Sequence, residues 1–299
     1  MRGTGLSAES SISACLLCYN DAETISGLVE RAATALDQLD AEAEIVVVDD
    51  GSTDDSVIRL AEAAAREPRL RVVEHAANRG YGGALRSALA EAHGEWIFYT
   101  DGDGQYDPAQ LARLAAHAGE NADWIQGYKR YRSDPLNRRL VGAVYAAAMG
   151  FLFRLPIRDI DCDFRLMRAE LIGDLRLEKD SGAICVELVR GLQDAGARCV
   201  EIEVDHFERP HGRSQFFRPR RILWSLWDVA TLWARLIGRP ALRRLAGRRS
   251  SATFSPERGP ARPGAQAMSS DRTETARERS GRGAPPPKPP GRARTGPRG

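Results

Sequence analysis

Glu44–Asp55, EIVVVDDGSTDD, decides the fold. A β-branched apolar run ends abruptly in carboxylates and a glycine, and Glu95–Asp107, EWIFYTDGDGQYD, repeats the pattern. Apolar runs of this length, bounded by turn residues, read as strands buried on both faces, as in a parallel sheet. Ligands of open parallel sheets collect at the carboxyl ends of the strands. Two strands that both end in aspartates therefore predict one acidic site oriented to phosphates and metals.

The flanking sequence supplies the rest of an α/β unit. Ile12–Tyr19 reads as a strand, followed by a helix to about Leu39 with Ile25, Leu28, Val29, Ala32, Ala33 and Leu36 at helical spacing. After Glu44–Val48, Ser52 or Asp54 is expected to cap a helix closed by Pro68. Leu70–Glu74 is a short strand, Asn78–Gly83 a glycine-rich loop leading into a helix to His93, and Glu95–Thr100 the fourth strand. That order is doubly wound α/β. Beyond Pro108 the pattern predicts a helix over Ala109–Ala118, a strand at Asp123–Tyr128 and a basic loop at Arg130–Asp134. An alanine-rich helix from Leu136 to about Phe153, an extended Ile160–Arg168, a helix at Ile184–Ala195, a strand at Cys199–His206 and a polar loop at Glu208–Phe217 follow. The expected organisation is a disordered N-terminus (1–11), a catalytic domain (12–217), an amphipathic helix (218–248) and a Pro/Gly/Arg-rich tail (249–299) too poor in core-forming residues to order.

The formal net charge of +2 hides an asymmetry. Arg248–Gly299 carries 12 Lys and Arg against 4 Asp and Glu, whereas residues 1–247 carry 31 against 37. The basic character thus belongs to the tail, and no nucleic-acid footprint is expected on the folded part. The five cysteines sit mostly in apolar runs and read as buried, reduced thiols, Cys15-x-x-Cys18 included. The sequence shows neither a secretory signal nor a membrane-spanning run, so a cytosolic compartment is expected.

Asp101-Gly102-Asp103-Gly104-Gln105 is the sharpest chemical signal. Two carboxylates and an amide oxygen at alternate positions of a tight turn can converge on Mg²⁺ or Mn²⁺, which takes oxygen ligands and shares its shell with substrate phosphates. A surface hairpin turn is the plain alternative. A phosphotransferase or dehalogenase nucleophile is a third, although that pair normally ends the first strand of its domain. Asp49-Asp50-Gly51-Ser52 offers an acceptor for a ribose or base edge, or a cap for the next helix. Arg79-Gly80-Tyr81-Gly82-Gly83 is half a dinucleotide fingerprint, with Leu85 where the third glycine belongs.

In order and spacing these segments resemble the family 2 glycosyltransferases of GT-A fold, and among them the dolichyl- and polyprenyl-phosphate sugar synthases. The resemblance covers about Ile12 to Ile237. Cys18-Tyr19-Asn20-Asp21 is similar to the family's nucleotide-holding TYNE turn, with Asp for Glu and Leu17 for the preceding Pro. Asp49-Asp50-Gly51-Ser52 matches unchanged, which implies that Asp50 meets the nucleoside. Asp101–Gln105 matches DAD-x-Q, which implies donor contact by Asp101 and Gly102 and metal ligation by Asp103 and Gln105. Lys129 of Gly127-Tyr128-Lys129 stands where the family has a phosphate-contacting Arg. Asp163-Phe164-Arg165-Leu166 resembles the S/G-F-R-L element near the acceptor, and Arg209-Pro-His-Gly-Arg-Ser214 the loop that clamps the pyrophosphate, with Gln215 for its Lys.

The implied activity is inverting transfer of a hexose from a nucleotide sugar, GDP-mannose or UDP-glucose, to a polyprenyl phosphate. The metal on Asp103 and Gln105, with Arg209, would neutralise the departing diphosphate. Tyr19, Asp21, Asp50, Asp101, Gly102, Asp103, Lys129 and Arg209 would hold the donor, and Arg138, Arg139 and Arg165 would guide the acceptor phosphate. A hydroxyl acceptor served by Glu187 as general base is the second enzyme reading, and a nucleotide-sugar-binding regulator the non-enzyme one. On a helical wheel, Arg221, Asp228, Arg235 and Arg239 form a polar stripe opposite Leu223, Leu226, Trp227, Ala230, Trp233 and Ile237. That arrangement fits a helix in the membrane interface, on the inner face of the cell membrane, or one packed on the core or in a homodimer.

Overall fold

The computed structural model describes residues 5–6, 9–39, 41–119, 122–129, 136–210 and 219–238. Seven strands, β1 (Ser11–Cys18), β2 (Glu42–Asp49), β3 (Leu70–Glu74), β4 (Trp96–Asp101), β5 (Trp124–Lys129), β6 (Phe164–Arg168) and β7 (Cys199–Val204), form one sheet in the order β3-β2-β1-β4-β6-β5-β7. All neighbours are parallel except β6, which runs antiparallel to both β4 and β5. The helices are α1 (Ile25–Asp37), α2 (Ser56–Arg66), α3 (Tyr81–Glu91), α4 (Leu111–Ala115), α5 (Leu136–Phe153), α6 (Ala169–Gly173), α7 (Ala183–Asp194) and α8 (Pro219–Trp233), the last continuing into a π turn at Ala234–Gly238.

The β-branched runs are continuous because both sheet faces are covered. One core packs Ala14, Leu16, Ile45 and Val47 against α1, α2 and α4. The other packs Cys15, Leu17, Val46 and Val48 against α3, α5, α7 and α8. None of the five cysteines forms a disulfide; four are buried and Cys199 is half-buried. Burial pushes their thiols above the ordinary range.

Chain order reverses at β1: β2 and β3 lie on one side of it and β4 on the other. Such a reversal opens a crevice at the carboxyl ends of the strands. The register brings the motifs to the same level there, with Cys18 beside Asp49 and Leu17 beside Asp101.

One local expectation needs correction. Neither Ser52 nor Asp54 is the N-cap of α2, which is Asp55 without a side-chain bond. Ser52 Oγ instead accepts from the Asn20 amide (2.9 Å), and Asp54 accepts from Ala22 and Ser56 amides, so both side chains tie the β1 and β2 turns together. The helix expected over 218–248 is described as helical to Gly238. The expected boundaries at 217/218 and 248/249, and the tail, lie outside the described residues.

Candidate active site

The acidic turn after β4 is built by backbone contact. Gly102 donates its amide to Leu17 O (2.7 Å), and a Cβ there would sit 2.4 Å from that oxygen. Glycine is therefore required for β4 to close on β1. Asp103 is buried, and its Oδ1 accepts from the Gln105 amide (3.0 Å). The segment after β7 reaches over this turn: Phe207 donates its amide to Gln105 O (2.9 Å), and Gln105 Nε2 donates back to Phe207 O (3.1 Å). Arg209 is thereby carried to Asp103 Oδ2 (2.6 Å), and its other terminal nitrogen lies 3.8 Å from Asp21 Oδ1.

Asp101 sits deeper. Its Oδ1 is buried with no hydrogen-bond partner among the described residues. The antiparallel pairing of Thr100 with Phe164 sets Asp101 directly opposite Asp163. Burial first, then the Asp163 and Asp103 carboxylates, push the Asp101 carboxyl well above the carboxylate range. Asp21 rises to about 6, mainly through burial, against the lowering effects of the Tyr19 amide and Arg209. Like charges face each other here, an arrangement that costs stability and marks functional sites.

The donor set fits a hard divalent cation. Asp103, the Gln105 amide oxygen and the orphaned Asp101 oxygen are all oxygen ligands. No three-ligand His/Cys/Asp/Glu cage occurs among the described residues. One or two carboxylates suffice when substrate phosphates complete the shell. In this structure the cation on Asp103 is Arg209.

The residues that the resemblance assigns to the nucleoside gather at the ends of β1 and β2. Tyr19 donates its amide to Asp21 Oδ2 (3.2 Å), and Asp50 is buried beneath a loop at residues 75–79. His75 belongs to this site and is absent from the sequence expectations, because a lone histidine after a short strand carries no pattern. Lys129 ends β5 with Nζ donating to Asp161 O (2.7 Å), outside the acidic cluster's hydrogen bonds.

The structure overturns two placements. Arg165 is fully buried; its guanidinium donates to Gln126 Oε1 (2.5 Å), the Tyr99 hydroxyl and Ile160 O (2.6 Å). Tyr99 and Gln126 are its cross-strand neighbours on β4 and β5, so Arg165 cements the sheet beneath the site and has no surface for an acceptor phosphate. Glu187 is also turned away. Its Oε2 accepts from the Glu178 (2.8 Å) and Lys179 (3.0 Å) amides, and its Oε1 pairs with Arg235. The carboxylate that does face Asp101 is Asp163, whose Oδ1 accepts from the Tyr99 hydroxyl (3.1 Å) and the Cys185 thiol (3.3 Å). Arg138 and Arg139 fall on α5, and their side chains, like the whole 211–218 segment with His211, Arg213 and Gln215, lie outside the described residues.

Of the polar stripe of α8, the described Asp228 and Arg235 face the domain. Lys179 Nζ donates to Asp228 (3.4 Å) and Thr231 Oγ1 (2.6 Å), Arg235 pairs with Glu178 and Glu187, and Val229 and Leu232 are buried. Asp228 and Arg235 thus anchor the helix rather than interrupt an apolar face. Leu223, Trp224, Leu226, Trp227 and Trp233 remain exposed, and so do Leu140, Val141, Val144 and Phe151 of α5. Among the described residues no helix is long and apolar enough to cross a membrane.

The family model described as Glycosyl transferase family 2 matches residues 13–176, more than half of the chain, from within β1 through β6. The chain belongs to glycosyl transferase family 2. Among curated family relatives, an undecaprenyl-phosphate 4-deoxy-4-formamido-L-arabinose transferase of Proteus mirabilis is 30% identical over 69% of this chain and 62% of its own. A dodecaprenyl-phosphate galacturonate synthase of Rhizobium johnstonii is 28% identical over 77% and 69%. This family 2 chain therefore spans about three-fifths of the first relative's length. Glucosyl-3-phosphoglycerate synthase of Mycobacterium tuberculosis, solved with phosphoglyceric acid, shares the fold at TM-score 0.59 and 21% identity, covering 77% of this chain and 81% of its own. The same enzyme solved with Mn²⁺ and UDP-glucose aligns at TM-score 0.58 and 20% identity, over 77% and 80%.

Proposed function

We propose that this family 2 protein is a metal-dependent, inverting glycosyltransferase that moves a sugar from a nucleotide sugar to a polyprenyl phosphate at a membrane surface. Both curated relatives carry a polyprenyl phosphate in their names. The observation that carries the reading is the acidic turn with Arg209 across it. Asp103 and Gln105 would hold the divalent cation, and that cation would supply positive charge to the departing diphosphate. With a cation held on Asp103, Arg209 would stand within reach of the same diphosphate, a second positive charge aimed where negative charge develops. Tyr19, Asp21 and Asp50 would line the nucleoside end, Lys129 would contact donor phosphate, and Arg138 and Arg139 would serve the acceptor side.

A phosphate acceptor is already anionic and needs no general base, which agrees with Glu187 being turned away. The hydroxyl-acceptor reading is favoured by a single observation, the position of Asp163, which would then be the base. The catalytic domain is taken as residues 12–217, with α8 added to it as a membrane-facing helix. The exposed tryptophans of α8 suit the headgroup depth of a bilayer, and the apolar side chains on α5 add to that surface. No comparable aromatic surface is needed for a water-soluble acceptor.

The test is donor turnover with polyprenyl phosphate against the matching polyprenol, with Mn²⁺ or EDTA, and flotation with anionic liposomes. Turnover requiring both the metal and the phosphate, with the protein floating, is the expected result. Turnover on polyprenol alone would transfer the assignment to the hydroxyl reading. Full turnover in EDTA would remove the metal from it.

A further inference from the structure

We propose that Gln110 is a positioning residue for the reaction: its side-chain amide holds the segment that carries Arg209 to Asp103. The inference rests on the role given to Arg209 under the family 2 reading and adds the residue through which that role is secured.

β7 ends at Val204, yet the chain stays pinned for three more residues. Asp205 donates its amide to Gln110 Oε1 (2.7 Å), and Gln110 Nε2 donates back to Asp205 O (3.1 Å). A carboxamide presents a C=O and an N–H side by side, as a peptide group does. Gln110 therefore meets both backbone groups of Asp205, as the facing residue of an antiparallel strand would. Phe207, two residues on, closes a second ring with the main-chain oxygen and the side-chain amide of Gln105. Between them His206 packs edge-on against Tyr106, with 5.1 Å between ring centroids, and Tyr106 is buried against Phe164.

Gln110 is itself fixed. Pro108 opens a 3₁₀ turn over Pro108–Gln110, and Asp107 caps it by accepting from the Ala109 amide (3.1 Å). The Gln110 side chain is buried, and Arg113 donates to its Oε1 (3.4 Å). The Asp205 side chain is exposed, so the hold falls on its backbone.

Two residues of chain reach at most about 7 Å, so pinning Phe207 confines Arg209 to the neighbourhood of the acidic turn. That confinement matters for the chemistry. A guanidinium already in place when charge develops on the departing diphosphate needs no reorganisation at that moment, and a loose one does. Gln105 belongs to the metal's ligand set. Gln110 is the half of the clip that lies outside it.

The experiment uses the full chain, with each variant taken forward after its melting curve shows that it folds. Gln110→Met keeps the volume and removes the amide; Gln110→Glu sets an oxygen against Asp205 O. With Mn²⁺ and both substrates, turnover should fall by about tenfold to a hundredfold in each, with the donor KM little changed. In an Arg209→Ala background the same substitution should cost less than about threefold, because residues that act as a unit are not additive. Without nucleotide, Mn²⁺ binding read by electron paramagnetic resonance should tighten in Gln110→Met, toward that of Arg209→Ala, since a loosened guanidinium competes less for Asp103. In the wild type, hydrogen exchange should find the Asp205 and Phe207 amides protected as those of β7 are. A folded Gln110→Met with wild-type turnover and wild-type Mn²⁺ affinity would overturn the inference, and so would an equal loss of turnover in the Arg209→Ala background. An unprotected Asp205 amide would overturn it even if neither variant folds. Exchange and Mn²⁺ binding need no turnover, so failure of the glycosyltransferase reading would show separately, as absent sugar transfer with both of those results intact.

Discussion

Glu187→Gln separates a structural glutamate from a catalytic one. Glu187 is 3% exposed and binds three donors, the amides of Glu178 and Lys179 and the Arg235 guanidinium. Glutamine can keep its oxygen on the two amides, but its NH₂ then faces Arg235. Removing one partner of a buried ion pair costs about 3–5 kcal/mol. Arg235 is 27% exposed and retains Glu178, so the expected loss is nearer 2–3 kcal/mol. For a body of this size each kcal/mol moves Tm by roughly 2–4 °C, which predicts a fall of about 5–10 °C by differential scanning calorimetry. Turnover should stay within about tenfold, below the ~10²–10⁴ that a general base contributes. An unchanged Tm with turnover down by ~10³ would refute the reasoning and restore Glu187 as a base.

Other perturbations report on the site itself. Asp103→Ala should abolish metal-stimulated turnover in a folded protein; retained stimulation by Mn²⁺ would place the cation elsewhere. Arg209→Ala should tighten Mn²⁺ binding without nucleotide, read by electron paramagnetic resonance, because the guanidinium no longer competes for Asp103; weaker binding would contradict that competition. Asp21→Asn addresses pH. A carboxyl raised to about 6 binds a proton more tightly folded than unfolded, so stability is lost as pH climbs from about 4 to 6. The variant should melt higher than wild type above pH 6 and equally below pH 4, and equal melting at all pH would count against the burial argument. Trp227→Glu with Trp233→Glu should lower liposome flotation while sparing turnover on a short-chain acceptor; unchanged flotation would remove α8 from the membrane contact.

The sequence made the left half of the sheet legible because β1, β2 and β4 are buried on both faces and each ends in chemistry. Asp50, Asp101, Asp103 and Gln105 could be placed at one end of the sheet because strand ends at a chain reversal have one available place to converge. Arg165 and Glu187 were misplaced for a common reason. A charged residue next to a motif reads as functional, but only cross-strand pairing shows Tyr99 and Gln126 enclosing Arg165, and only the 178–179 strap shows what Glu187 holds. Asp163 has the converse history: the antiparallel insertion of β6, invisible in local pattern, sets it opposite Asp101. On α8 the helical wheel set Asp228 and Arg235 on a polar stripe, yet these two met the domain, since Lys179, Glu178 and Glu187 wait there as partners.

The most direct test is a competition. Polyprenyl phosphate and polyprenol of equal chain length are offered at equal concentration with the nucleotide sugar and Mn²⁺, and the products are weighed by mass spectrometry. The account predicts sugar joined through phosphate as the dominant product, in wild type and in Asp163→Asn alike. Sugar joined directly to the polyprenol, lost in Asp163→Asn, would contradict it.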